Sequence, residues 1–177
     1  MEFKYEVKLL IRYFLLMILI LFFISNFFIN ILTDLFLKIV YFFFNFYKEI
    51  IIIETGFKIE NNTTFLILKE CIASQVYILI TIVFFTLPIK LKKIFKIWSL
   101  SVIYFTILNL IRIIILIGIY LKFGIYYFEK LHILFYEGLT GVLTGLIIVY
   151  FVKKEKIKVY PIYSDVKNII NKYFIKD

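Results

Sequence analysis

Cysteine, alanine, proline and glycine are all scarce in this chain, and each scarcity bears on what the protein can be. One cysteine among 177 residues cannot close an internal disulfide, form a CxxC redox pair or build a cysteine-rich metal site. Cys71 is therefore a free thiol or half of an intermolecular bond. With two prolines and six glycines, the chain lacks the paired Gly/Pro-interrupted helices of many transporters. The only alanine is Ala73, so the first apolar stretch has no small-residue cleavage site of the signal-peptidase kind and is expected to stay as an anchor.

What the chain has is apolar surface. It is 63% hydrophobic and 21% aromatic, with a mean hydropathy of +0.99, well beyond the usage of soluble domains. The formal charge is +9, but the cations are clustered. Lys90, Lys92, Lys93 and Lys96 form one group, Lys153, Lys154, Lys156 and Lys158 another, and long uncharged runs separate them. A nucleic-acid groove needs its cations on a folded polar surface. Cations that flank apolar runs set membrane topology instead, so no nucleic-acid partner is expected.

Four segments, approximately 9–32, 71–89, 97–121 and 132–152, approach the roughly 20 apolar residues that cross a bilayer core. With Lys4, Lys8 and Arg12 and both lysine clusters inside, the four alternate without contradiction. Asn30, Asp34, Lys38, Tyr41, Asn45 and Glu49 share one helical stripe, so residues 33–54 read as an amphipathic helix in the outer interface, or as a fifth span. Residues 55–70, with Gly56 and the polar run Glu60-Asn61-Asn62-Thr63-Thr64, read as a short outer hairpin before the second main span. The expectation is an all-α polytopic membrane helix bundle of four or five transmembrane helices. Residues 1–152 form the membrane core, and 153–177 a basic cytoplasmic tail with a short helix capped by Ser164 or Asp165.

Three rare residues coincide in this topology. Cys71 opens the second span and His132 the fourth, both at the outer surface. Arg112 lies on the third, about ten residues before Lys122 and so roughly 15 Å below its outer end. A charge inside a span costs about 2.5–3.5 kcal/mol even on the lenient insertion scale. A chain with 19 lysines but two arginines has placed a planar, multi-donor cation there. A thiol becomes a nucleophile when a base or cation favours the thiolate. His132 has the chemistry to move the proton, and Arg112 to steady a thiolate or oxyanion. Taken one at a time, Cys71 is a packing residue, His132 an interfacial side chain, and Arg112 half of an ion pair with Glu70 or Glu137.

The segments Glu70-Cys71-Ile72-Ala73-Ser74, Asn109-Leu110-Ile111-Arg112-Ile113 and His132 with Gly138 together resemble the exosortase and archaeosortase family of membrane sorting enzymes, over roughly residues 50–150. The resemblance implies a cysteine peptidase or transpeptidase of the plasma membrane, with its active site at the outer face. Its catalytic residues would be Cys71, Arg112 and His132, supported by Glu70, Ser74, Asn109 and Glu137. It further implies exported partner proteins ending in a motif, an apolar helix and a basic cluster. These are cut through a thioester, with a lipid or other amine as candidate acceptor for the new C-terminus. No metal or organic cofactor is implied. The family has a hydroxyl residue and then glycine after its cysteine, where this chain has Ile72 and Ala73, with Ser74 the nearest hydroxyl. The alternative from another class is a non-catalytic membrane assembly protein in which Arg112 is structural.

Overall fold

The computed structural model describes residues 3–46, 50–53, 56–59, 63–66 and 69–157. Helix dominates, because a backbone in hydrocarbon must satisfy its own N–H and C=O groups. The helices are α1 (Phe3–Ile24), α2 (Asn26–Phe44), α3 (Lys69–Ile72), α4 (Ser74–Phe85), α5 (Leu91–Phe123), α6 (Ile125–Ile133) and α7 (Thr140–Lys154), with a π-helical segment, Leu134–Leu139, between the last two. Among the described residues four stretches are long and apolar enough to cross a membrane: Val7–Ile24, Asn26–Phe44, Leu91–Phe123 and Ile125–Lys154. The fold is an all-α polytopic bundle, as expected.

Two of the expected spans are drawn differently. The run 9–32 is not one helix. Ser25 leaves the helical conformation (φ −65°, ψ 144°), donates its hydroxyl to Phe22 O at 2.6 Å and accepts from Phe28 N at 3.3 Å. This N-cap ends α1 and starts α2, and Phe23 and Phe28 pack edge to face across the break at 4.7 Å. The expected span 71–89 is also shorter. Its regular part, α4, has 12 residues, about 18 Å of rise, because the chain breaks helix at Ala73 and Pro88 stands beyond its end.

The chain divides into two compact units, and α5 contributes to both. The first comprises Met1–Leu21, Val76–Phe105 and Gly141–Asp177. Its core is the face of α4 carrying Tyr77, Ile80 and Phe84 and the start of α5 carrying Ile94 and Ile97, all fully buried. Thr81 ties the two helices: its hydroxyl donates to Tyr77 O at 2.6 Å and accepts from Trp98 Nε1 at 3.0 Å. Lys93 Nζ donates to Glu155 O at 2.8 Å, and Lys93 and Lys96 each lie 3.1 Å from the Glu155 carboxylate. Hydrogen bonds from Lys93 and then Lys96 hold that carboxyl below its ordinary value, so it is charged at neutral pH and its two ion pairs weaken as acid protonates it. Lys93 and Lys96 of the first lysine cluster therefore meet Glu155, which lies between Lys154 and Lys156.

The second unit comprises Phe22–Gln75 and Thr106–Thr140. It contains the whole of α2, which buries Phe28, Leu32, Phe36 and Val40 at a four-residue spacing. Its polar stripe, Asn30, Asp34, Lys38, Tyr41 and Asn45, is exposed, but the amphipathic helix expected over residues 33–54 is drawn differently: α2 runs from Asn26 to Phe44, and Ile50–Ile53 is a strand. The expected hairpin is a three-stranded antiparallel meander of β1 (Ile50–Ile53), β2 (Gly56–Ile59) and β3 (Thr63–Leu66). Ile50 pairs with Ile59 and Phe57 with Phe65. Glu49, Glu60 to Asn62 and the tail beyond 157 lie outside the described residues.

Large apolar side chains on the outside, such as Leu10, Phe14, Leu21, Ile107 and Leu146, are the lipid-facing surface. Association between such helices rests on packing and interhelical hydrogen bonds rather than on exclusion of water.

Candidate functional site

The site grows from a fault in a helix. Helix α3 stops at Ile72, Ala73 takes a left-handed conformation with φ +54°, and Ser74 opens α4. A break of this kind takes carbonyls at the end of α3 out of the helical ladder, and they need donors from elsewhere. Helix α5 supplies them one turn apart. Asn109 Nδ2 donates to Cys71 O at 3.0 Å and to Ile72 O at 3.1 Å. Arg112 Nη2 donates to Cys71 O at 2.7 Å, while Nη1 donates to Thr140 Oγ1 at 3.1 Å. Asn109 and Arg112 are both buried, at 3% and 7% exposure, so these bonds form away from solvent, where a charge-assisted bond contributes about 1.5–3 kcal/mol.

The guanidinium thus joins three chain segments within the second unit: the Cys71 turn, the middle of α5 and the first residue of α7. Thr140 was not among the sequence candidates. Its hydroxyl donates to Phe135 O at 2.5 Å, closing the π-helical segment. Such segments have no hydropathy signature, although they occur often at functional sites.

Cys71 is half-buried and forms no disulfide, and Ser74 is half-buried at the start of α4. The carbonyl of Cys71 is fixed by two donors. Arg112 holds the main chain of the cysteine, a different contact from the thiolate or oxyanion expected of it. Asn109 Oδ1 is buried and accepts no hydrogen bond among the described residues, which leaves one acceptor beside the turn. His132 is half-buried near the end of α6, stacked on Phe128 at 5.6 Å with an interplanar angle of 11°, and tilted against Tyr136 at 6.4 Å. Among the described residues His132 hydrogen-bonds to neither Cys71 nor Arg112. The structure therefore joins Cys71, Asn109 and Arg112 directly and seats His132 in its own ring stack. Glu70 lies in α3 and Glu137 in the π-helical segment; their side chains are outside the described set. Among the described residues no group of three His, Cys, Asp or Glu side chains is placed to hold a metal ion.

The left-handed residue gives the first testable consequence. An L-residue in this conformation costs about 1–2 kcal/mol, and position 73 is where the resembled family carries glycine. Ala73→Gly is expected to stabilise the protein by up to about 1 kcal/mol after the entropy of a freer unfolded chain is set against it. A raised unfolding midpoint of the purified protein in detergent is the expected result; a lowered one would mean that residue 73 is not left-handed.

Comparison of the chain with known protein families, characterised proteins and solved structures finds no match.

Proposed function

We infer that the protein is a membrane-embedded cysteine peptidase or transpeptidase that cuts a C-terminal sorting signal from exported proteins. The observation that carries this reading is the anchoring of the Cys71 carbonyl by two buried donors, Asn109 and Arg112. A nucleophile has to be held within a fraction of an ångström of the reacting carbon, and a half-exposed thiol on a doubly fixed main chain has that property. Cys71 would attack the scissile carbonyl. The tetrahedral intermediate would collapse to a thioester as the amine leaves, with His132 as the proton carrier. His132 would have to turn from its Phe128 stack toward the thiol, a change available to a half-buried ring.

The resemblance to exosortases and archaeosortases supports the same assignment through the order Cys, Asn-x-x-Arg, His. The proposed topology places the site at the outer face of the plasma membrane, α2 along the outer interface, and the lysine clusters and tail in the cytoplasm. Substrates would carry a short motif, an apolar helix and a basic cluster, and a lipid amine or water would release the acyl group. A second reading, a non-catalytic membrane assembly protein, is favoured by one contact: the donors of Arg112 reach a backbone carbonyl and a threonine, a structural task.

The test is direct. The protein in nanodiscs, incubated with a tripartite C-terminal segment encoded in the same genome, is expected to yield a hydroxylamine-sensitive adduct on Cys71, and a membrane-impermeant thiol reagent is expected to label Cys71 in intact cells. Absence of any adduct with every such segment would favour the assembly reading; labelling confined to inside-out vesicles would reverse the topology.

A further inference from the structure

The turn at Cys71 keeps one polar atom whose task the proposed chemistry leaves unexplained. Asn109 is 3% exposed, and the orientation of its amide is settled by its partners. Both hydrogens of Nδ2 are used, on Cys71 O at 3.0 Å and on Ile72 O at 3.1 Å. Exchanging nitrogen and oxygen would set Oδ1 against those two carbonyl oxygens, acceptor against acceptor. Oδ1 therefore occupies the other side of the amide, where it accepts no hydrogen bond among the described residues.

A buried acceptor without a donor costs about 1–3 kcal/mol. Asn109 also lies within the apolar stretch Leu91–Phe123, where a bilayer offers no bulk water as a substitute donor. The bonds already named limit how far this acceptor is from the thiol. Amide nitrogen and oxygen are about 2.3 Å apart, and Nδ2 is 3.0 Å from Cys71 O. Oδ1 is thus within about 5 Å of that carbonyl oxygen. A cysteine sulfur lies roughly 3–5 Å from its own carbonyl oxygen, so Oδ1 and Sγ are no more than about 10 Å apart.

We infer that Asn109 Oδ1 accepts a backbone N–H of the peptide being cut, so that one amide holds the Cys71 turn on one side and the substrate on the other. The inference rests on the peptidase reading and specifies how that site takes its substrate. A peptide whose scissile carbonyl meets Sγ extends by about 3.3–3.6 Å per residue, so N–H groups within about three residues of the cut pass within reach of Oδ1. Main-chain N–H is the donor that any sequence supplies outside proline. The acceptor is covered in the free chain. The peptide displaces part of that cover as it binds, and the bond then forms away from water, where it is strongest. Asn109 is on this reading a positioning residue for nucleophile and peptide together, and its Oδ1 contributes to affinity rather than to the rate at saturation.

The test scans the substrate as well as the protein. Peptides covering a tripartite C-terminal segment encoded in the same genome are made with one backbone N–H at a time replaced by an ester oxygen across the motif. Binding is measured on Cys71→Ala in nanodiscs, a variant that cannot cut and keeps the Cys71 carbonyl. One ester position is expected to weaken binding about tenfold. In the Cys71→Ala, Asn109→Leu double variant, that same ester should bind as well as the all-amide peptide does. A purely structural Asn109 would instead lower the binding of both peptides alike. Asn109→Ser serves the same comparison where leucine prevents insertion, because the shorter side chain withdraws the acceptor. No sensitive ester position, equal sensitivity with and without Asn109, or no binding of the all-amide peptide would overturn the inference. Either of the first two, found alongside a Cys71 adduct, would leave the peptidase reading standing. Coupling between the ester and Asn109 without any adduct on Cys71 would remove the peptidase reading and keep Asn109 as part of a peptide-binding site.

Discussion

Alanine at position 71 is expected to abolish processing of a tripartite substrate, a loss of about 1000-fold or more, while the protein accumulates at its normal level. The size of the loss follows from removing a nucleophile: no neighbouring group can form the acyl intermediate in its place. The normal accumulation follows from where the structural bonds are made. Arg112 and Asn109 grip the carbonyl oxygens of residues 71 and 72, and an alanine keeps those oxygens. The side chain itself is half-buried, so its loss is worth about 1 kcal/mol at most. Cys71→Ser should behave in the same way, because the hydroxyl preserves size and loses most of the nucleophilicity at neutral pH. Immunoblots of substrate and enzyme in the same membranes read both quantities. Wild-type processing by either variant would remove the peptidase assignment and leave the assembly reading, under which Cys71 is a packing residue.

How much of this site was legible beforehand depends on the kind of signal each residue leaves. Arg112 was conspicuous because a charge in an apolar run has a high insertion cost, and Asn109 followed as its neighbour one helical turn away. Their meeting with the Cys71 main chain left no direct mark in the sequence, where the three were linked only by rarity and by the order of the apolar runs. Thr140 left no signal, because a threonine in an apolar helix costs little and the π-helical segment before it follows no hydropathy period. The ring environment of His132 left no signal for a related reason. Phe128, His132 and Tyr136 are spaced four residues apart, and that local ring stack holds the imidazole independently of the chemistry expected of it. The helix ends show the same limit. Ser25 is one polar residue in a long apolar run, and a serine can bond locally within a helix or cap a new one; hydropathy does not distinguish the two. The break at Ala73 occurs at a residue with high helix propensity, so tertiary donors from α5, rather than any local breaker, hold the chain in that conformation.

Arg112→Lys is expected to slow processing at least tenfold and to lower the unfolding midpoint, because the fork of the guanidinium does two things at once. Nη2 reaches Cys71 O and Nη1 reaches Thr140 Oγ1, and a single ammonium cannot hold both acceptors from the same Cα position. Losing one partner leaves a buried acceptor short of a donor, which costs about 1–3 kcal/mol, and tenfold in rate corresponds to about 1.4 kcal/mol. Stability and rate can be separated with Asn109→Leu, which removes the other donor onto the Cys71 and Ile72 carbonyls and leaves the charge untouched. If Arg112 acts by positioning the Cys71 main chain, Asn109→Leu should slow processing to a similar degree, and Thr140→Val, which frees only the far end of the fork, should have a smaller effect. If instead the charge acts on the reacting atoms, Asn109→Leu, which leaves the guanidinium in place, should retain most of the activity, and Arg112→Lys, which moves the charge and loses the fork, should be the slower of the two. Processing at the wild-type rate in both Arg112→Lys and Asn109→Leu, together with lowered unfolding midpoints, would show that the clamp on residues 71 and 72 serves the fold alone.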